Sequence, residues 1–391
     1  MDRRPAVSKT LSVYGTSIFA EMSAAALQHG AINLGQGFPD FEGPAFIKEA
    51  AVKAINNGAN QYARSQGQPE LCAAVSAKVQ AQYGLSRCPE TEVGVFSGAT
   101  EGLAAAIFGL LEPGDEVVVF EPVYDSYLPL IRLVGARPRI ASLAWPEFRM
   151  EIGAVRSLFN ERTRLLLLNS PHNPTGTVFN RSELEQLAAL CVQHDVLVLT
   201  DEVYEHLTFD GADHIPMATL PGMADRVLTL SSTGKTFSMT GWKIGYAHGA
   251  SELVAAAQAA HQFLTFATAK PFQLAMAEAL AVAPDFYQEF QAEYQARRTL
   301  LLQGLEGAGL PVCSPQGTYF AMAHVGHLDV RDDRQFAHWL TENMGVTCIP
   351  ASPFYVEHDE QQLVRFAFCK SVETIEAAME RLQPLANLRQ I

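Results

Sequence analysis

The chain has 391 residues, 48% of them apolar and 18% charged, with 28 glycines and 21 prolines, which is enough for two or three domains around a sizeable core. That balance excludes a disulfide-stapled miniprotein, a collagen, a coiled coil and a disordered chain. Lys and Arg number 28 against 42 Asp and Glu, a formal net charge of −14, so nucleic acid and anionic membranes are repelled and the expected partners are small molecules or a second copy of the chain.

The six cysteines, Cys72, Cys88, Cys191, Cys313, Cys348 and Cys369, are scattered and form no C-x-x-C pair. Neither a disulfide framework nor a zinc cage is suggested. Met1 to Gly15 is polar and basic with no apolar segment behind it, and no run of eighteen apolar residues occurs. A soluble, cytoplasmic protein is expected.

In chain order, the segment before Gly43 is rich in turn residues, with Gly35-Gln36-Gly37-Phe38-Pro39-Asp40, and is expected to pack with the C-terminal part. From about Phe46 to Val282 short apolar runs alternate with helical patterns, the signature of βαβ units around a mainly parallel sheet. Val93 to Phe96 reads as a strand, Ser97 to Thr100 as a turn, and Glu101 to Leu111 as an Ala-rich helix stopped by Pro113-Gly114-Asp115. Further strands are predicted at Glu116–Phe120, Arg164–Leu168, Val196–Thr200 and Val227–Leu230, with a helix from Ser182 to His194. These runs lack polar alternation, so they should be buried on both faces. After Pro284 come a long polar helix from Asp285 to about Gly307, Gly-Thr-Tyr-Phe at Gly317 to Phe320, a helix near Arg334 to Met344 and a last helix from Ser371. The fold class expected is α/β, a mainly parallel sheet flanked by helices with a second, smaller α+β domain, divided as 43–284 and 1–42 plus 285–391.

Sheets of this kind bind ligands beyond the carboxyl ends of their strands, which singles out five places. Ser97-Gly98-Ala99-Thr100 enters a helix, where free backbone N–H groups suit a phosphate, or it is an ordinary turn. Ser170-Pro171-His172-Asn173-Pro174-Thr175-Gly176 fixes its backbone around Asn173, which holds a ligand oxygen or sits in a rigid turn. Asp201, at the end of a buried strand, needs a cationic or hydrogen-bonding partner, unless it caps a helix. Only eight lysines occur in the chain, and Lys235 and Lys243 lie eight apart in one small-residue and aromatic stretch. Desolvation there would lower a lysine pKa and suit Schiff-base chemistry, the alternative being a solvated surface charge. Arg365, inside Val364-Arg365-Phe366-Ala367-Phe368, invites a carboxylate from a ligand or from a structural partner.

Taken together and in order, these segments resemble the class I/II, fold type I, pyridoxal-5′-phosphate-dependent aminotransferases, from Asn33-Leu34-Gly35-Gln36-Gly37-Phe38-Pro39-Asp40-Phe41 to Val364-Arg365-Phe366. Within that family the chain looks most similar to bacterial methionine aminotransferases and to the kynurenine and glutamine/phenylpyruvate transaminases. The resemblance implies that Lys235 bonds the cofactor and then moves the substrate proton, that Asp201 faces the pyridine nitrogen, and that Asn173 and Tyr204 bond the phenolic oxygen. It implies further that Tyr124 stacks on the ring, that the backbone amides of Ala99 and Thr100 with Ser232 and Lys243 cradle the phosphate, and that Arg365, with Asn173 and Gly37, clamps the substrate carboxylate. It also implies a homodimer in which Tyr62 reaches the neighbouring phosphate and Phe266 the neighbouring pocket.

Phe19 matches a pocket position where tryptophan is usual in the kynurenine branch. His261 to Phe272 offers Phe263, Phe266 and Phe272 without an arginine, which suits an apolar or aromatic substrate. Lys270, one residue before Pro271, is more simply a surface charge. The expected reaction is a ping-pong transfer of the amino group of methionine, an aromatic amino acid, glutamine or kynurenine to a 2-oxo acid. A cysteine-conjugate β-lyase and a non-catalytic ligand-binding or regulatory module that kept the fold are its rivals. No metal is expected, His324 and His327 lacking a third ligand nearby.

Overall fold

Twelve strands and the helices between them form two sheet systems in the computed structural model, which describes residues 6–282, 284–356 and 362–388. In chain order the strands are β1 (Ile32–Asn33), β2 (Val93–Ser97), β3 (Glu116–Glu121), β4 (Arg137–Ser142), β5 (Thr163–Asn169), β6 (Leu197–Asp201), β7 (Val227–Ser232), β8 (Ile244–Gly249), β9 (Phe320–His324), β10 (Val346–Thr347), β11 (Ile349–Pro350) and β12 (Leu363–Ala367). The main sheet has the order β2-β8-β7-β6-β5-β3-β4. Its strands from β4 to β7 are parallel to their neighbours, and β8 alone runs against both β7 and β2. The α/β class with a mainly parallel sheet therefore holds. Residues 1–5, 283, 357–361 and 389–391 of the division read from the sequence lie outside the described residues.

Two strands of the main sheet escape the apolar-run criterion, each for a physical reason. β4 is an edge strand and carries Pro138, tolerated where one side of the ladder needs no N–H donor. β8 reads Ile-Gly-Tyr-Ala-His-Gly, and its glycines are steric: a Cβ on Gly245 would stand 2.5 Å from the Gly98 carbonyl carbon, and one on Gly249 2.5 Å from the Val227 carbonyl oxygen.

The helix predicted from Glu101 begins three residues earlier, as Gly98–Leu110, so the stretch read as a turn is its first turn. Its partner across the sheet face is Ser251–Leu264. They approach so closely that a Cβ on Gly109 would stand 2.1 Å from the Ala256 carbonyl oxygen.

The second system is a three-stranded sheet, β11-β12-β9, antiparallel throughout. The N-terminal segment joins it: β1 pairs with β10 in parallel, and the Ala367 N–H donates to the Leu34 carbonyl at 2.7 Å. This stitching carries Gly35–Phe38 across the carboxyl edge of the main sheet. No helix among the described residues is long and apolar enough to cross a membrane.

Candidate active site

Strand register brings the chemistry together. Ser97 pairs with Ile244, Asn169 with Asp201, Asp201 with Leu230 and Ser232 with Gly245, so the ends of β2, β5, β6 and β7 and the start of β8 share one rim. A cavity of about 270 Å³ opens there, lined by Gly37, Ala99, Thr100, Tyr124, Asn173, Asp201, Tyr204, Ser232, Lys235 and Lys243 from the sequence reading, and by Phe38, Asn169 and Thr240 among others. Arg365 lies behind Asn173, its Nη1 donating to Asn173 Oδ1 at 3.1 Å, and Phe19 lies over its guanidinium. Tyr62 and Phe266 stand elsewhere, edge-on to each other at 5.4 Å on the surface.

Asp201 is buried at the tip of β6 and caps no helix; its Oδ2 accepts from Tyr127 Oη at 2.7 Å and its Oδ1 from the Val203 N–H at 3.4 Å. Burial pushes its carboxyl up to about 6, against the pull of the Tyr127 hydrogen bond. Asn169 orders this corner, giving its Nδ2 to the Asp201 carbonyl at 2.8 Å and accepting the Asn173 N–H at 2.7 Å. Tyr204 is buried beside them, and desolvation raises its phenol well above the usual range.

Lys235 follows β7 in the short helix Thr233–Thr236, started by Ser232, whose Oγ accepts from the Gly234 N–H at 3.2 Å. Its Nζ donates to Tyr319 Oη at 2.8 Å. Desolvation pulls the ammonium down to about 8, only partly countered by Cys369 and Asp201. An amine tuned there exchanges protons near neutral pH.

Arg365, at the centre of β12, is 2% exposed, with Nη2 on the Gly35 carbonyl at 2.9 Å and Nε without a partner. Three rings surround it: Phe320 at 3.9 Å, Phe19 at 5.2 Å and Phe354 at 5.5 Å from the guanidinium carbon. Desolvation lowers its pKa to about 10, which leaves it charged at neutral pH. A buried cation with donors to spare suits a carboxylate.

These features coincide with what comparison with known proteins finds. A family model described as aminotransferase class I and II matches residues 29–382. The chain belongs to that family. The probable N-succinyldiaminopimelate aminotransferase DapC of Mycobacterium tuberculosis is 44% identical over 96% of this chain and 98% of its own length, and the solved structure of the N-succinyldiaminopimelate aminotransferase from that organism superposes with a TM-score of 0.95, covering 97% of this chain and all of the other. The methionine aminotransferase of Escherichia coli is 39% identical over 98% of this chain and 100% of its own, and a solved E. coli structure with a methionine aminotransferase function gives a TM-score of 0.94, covering 98% of this chain and all of the other. A kynurenine–oxoglutarate transaminase of Dictyostelium discoideum is 37% identical, covering 97% and 96%.

This aminotransferase therefore uses pyridoxal phosphate, and its residues fit that group. The helix Gly98–Leu110 has no side-chain cap at its N-terminus, which leaves first-turn N–H groups for an anion. Gly98, at φ +75°, lets the Lys243 side chain pass so close that a Cβ would stand 2.9 Å from Lys243 Cε. A carboxylate, two aromatic hydroxyls and a desolvated amine face the same cavity. Tyr127, Asn169 and Tyr319 are site residues that sequence reasoning missed; Tyr319 lies in the Gly-Thr-Tyr-Phe stretch it noted without assigning a role. Among the described residues no group of three His, Cys, Asp or Glu could hold a metal, and His324 stacks on Trp145 at 5.9 Å.

Proposed function

We propose that this aminotransferase takes the amino group of methionine, of an aromatic amino acid, of kynurenine or of glutamine and passes it to a 2-oxo acid by a ping-pong mechanism. The observation that carries the donor class is the setting of Arg365: one carboxylate clamp ringed by Phe19, Phe320 and Phe354, which favours an amino acid with an apolar or aromatic side chain. Lys235 and Lys243 are the cations lining the cavity itself, and Lys270 starts the helix Lys270–Leu280 beside a different surface groove.

When bound, pyridoxal phosphate supplies the electron sink for Cα–H cleavage and carries the amino group between half-reactions. Arg365, with Asn173 and the Gly37 backbone, holds the donor carboxylate. Lys235 Nζ takes the proton from the donor Cα and returns it in the opposite half-reaction. With the cofactor bound, Asp201 would hold a proton at the ring nitrogen, Tyr204 and Asn173 would bond the phenolic oxygen, and Tyr124 would cover the ring. The Ala99 and Thr100 amides, Ser232 and Lys243 hold the phosphate.

Half-reaction rates should test the donor. Methionine or an aromatic donor is expected to exceed N-succinyldiaminopimelate by about tenfold or more, given the aromatic rings around the Arg365 guanidinium. A faster reaction with N-succinyldiaminopimelate would move the assignment to the activity named for the Mycobacterium relative. Sustained pyruvate and ammonia release from a cysteine conjugate would support the lyase instead.

The site is completed by a second copy. Tyr62 at 86% exposure, Phe263 at 85% and Phe266 at 47% form an aromatic surface in support of this, with Tyr62 reaching the partner's phosphate and Phe266 the partner's pocket. Sedimentation equilibrium should return twice the chain mass, and a monomer at micromolar concentration would refute it. Residues 43–284 form the cofactor-binding domain and 1–42 with 285–391 the small domain; in support, β2 to β8 fall in the first range and β1 and β9 to β12 in the second.

A further inference from the structure

We propose that Tyr319 is a positioning residue for the proton carrier: its hydroxyl holds the free amine of Lys235 and ties it to the loop Gly35–Phe38. Tyr319 is fully buried just ahead of β9, fixed by Tyr204 edge-on at 5.1 Å, Phe320 at 4.8 Å and Tyr294 stacked at 6.2 Å. A ring so confined has one place to put its hydroxyl.

That hydroxyl lies in a directed chain. Lys235 Nζ donates to Tyr319 Oη at 2.8 Å, and Tyr319 Oη donates to the Gly37 carbonyl at 2.6 Å. A phenol has one proton, and here the Gly37 carbonyl takes it. Towards lysine the hydroxyl is therefore an acceptor only, and it cannot cap the lone pair of the neutral amine. The amine is anchored through an N–H while its lone pair stays available to the cavity, the arrangement a base needs.

The far end of the chain matters equally. Three carbonyls of the loop accept from small-sheet side chains or their flanks: Gly35 from Arg365 at 2.9 Å, Gly37 from Tyr319 at 2.6 Å and Phe38 from Lys370 at 2.7 Å. The loop is also pressed onto the Phe320 ring, where a Cβ on Gly37 would stand 2.7 Å from Cζ. A carboxylate that settles on Arg365 thus meets the same loop that fixes the lysine.

The experiment is Tyr319→Phe, which removes one oxygen and keeps the ring. Acylation of Lys235 across pH, read by mass spectrometry on the full-length apoenzyme, reports the amine directly. The other groups facing it, Asp201, Lys243, Arg365, Cys369 and Tyr204, are the same in both proteins. Loss of an acceptor for the ammonium should lower the lysine pKa by about one unit.

In the loaded enzyme, the single-turnover rate with α-deuterated and ordinary methionine should fall about tenfold with a larger isotope effect, while half-saturation changes less than about twofold. Equal lysine pKa and equal single-turnover rate in the two proteins would overturn the proposal. So would a loss confined to cofactor affinity or thermal midpoint, which marks a merely structural tyrosine. The inference rests on the transaminase reading for its kinetic arm, but the labelling arm needs no turnover, so its failure is separable from a failure of the donor panel.

Discussion

Replacement of Lys235 by alanine should lower the donor half-reaction about 10⁴-fold, the upper end of what a positioned acid–base group contributes. The amine sits at about 8 because desolvation outweighs the attraction of Cys369 and Asp201, so near neutral pH it is present in both protonation states and can take and return a proton. Alanine leaves neither function, and no neighbouring group replaces it. Tyr204 and Tyr319 lie close to the amine, but burial raises both phenols above their usual range, and the Lys243 ammonium lies against Gly98, where a Cβ would stand 3.0 Å from its Nζ. Single-turnover bleaching of the cofactor band measures the loss. A variant within about tenfold of the parent would sink the assignment, and added methylamine should restore part of the rate to a true Lys235→Ala defect.

The placement of Lys235 was legible because it follows a strand whose apolar run is unmistakable. The same holds for Ser97 and Asp201, since parallel strands buried on both faces write themselves as uninterrupted Val and Leu, and the residue after each run is at the ligand edge. What stayed hidden are groups brought in by tertiary contact. Tyr127 meets Asp201 across 74 residues and Tyr319 meets Lys235 across 84, and either tyrosine reads in sequence as core. The role of Arg365 was open between ligand and structural partner, and the structure shows its guanidinium bonded to Asn173, 192 residues away, through one nitrogen, with a partnerless Nε. β8 was missed because close backbone approach demands glycine where a strand signal would need a β-branched residue.

Away from the cavity, Lys78→Met should cost about 3–5 kcal/mol of stability, the usual penalty for breaking a buried ion pair on one side. Lys78 and Glu205 are nearly inaccessible and their charged atoms lie 2.6 Å apart. The carboxylate also accepts from Ser231 Oγ at 2.6 Å, Tyr83 Oη at 2.6 Å and Tyr246 Oη at 3.1 Å, and Lys78 Nζ donates to Tyr246 Oη at 2.9 Å. Burial works to raise the Glu205 pKa, yet Lys78 and these donors hold it well below the carboxylate range. His206 is a poor substitute for the ammonium: burial first, and the Lys78 charge second, drop its own pKa to about 3, and the larger of these causes, burial, persists in the variant.

With methionine in place of Lys78, burial wins and the carboxyl is pushed above its unfolded value. The sign of the pH dependence follows. In the parent a depressed carboxyl contributes stability above the unfolded range near pH 4, lost as pH falls below it. In the variant the uncompensated charge destabilises at high pH and is relieved by protonation, so the gap between the two proteins should narrow from pH 8 to pH 5. Urea unfolding across that range measures it, with Lys78→Met/Glu205→Gln expected to recover about half the loss by removing the orphaned charge. A loss under about 1 kcal/mol at pH 8 would mean that three hydroxyls alone can hold a buried carboxylate here. Because Ser231 directly precedes Ser232 and Glu205 directly follows Tyr204, that corner carries two cavity residues, and the variant should also weaken cofactor retention in proportion to the stability lost.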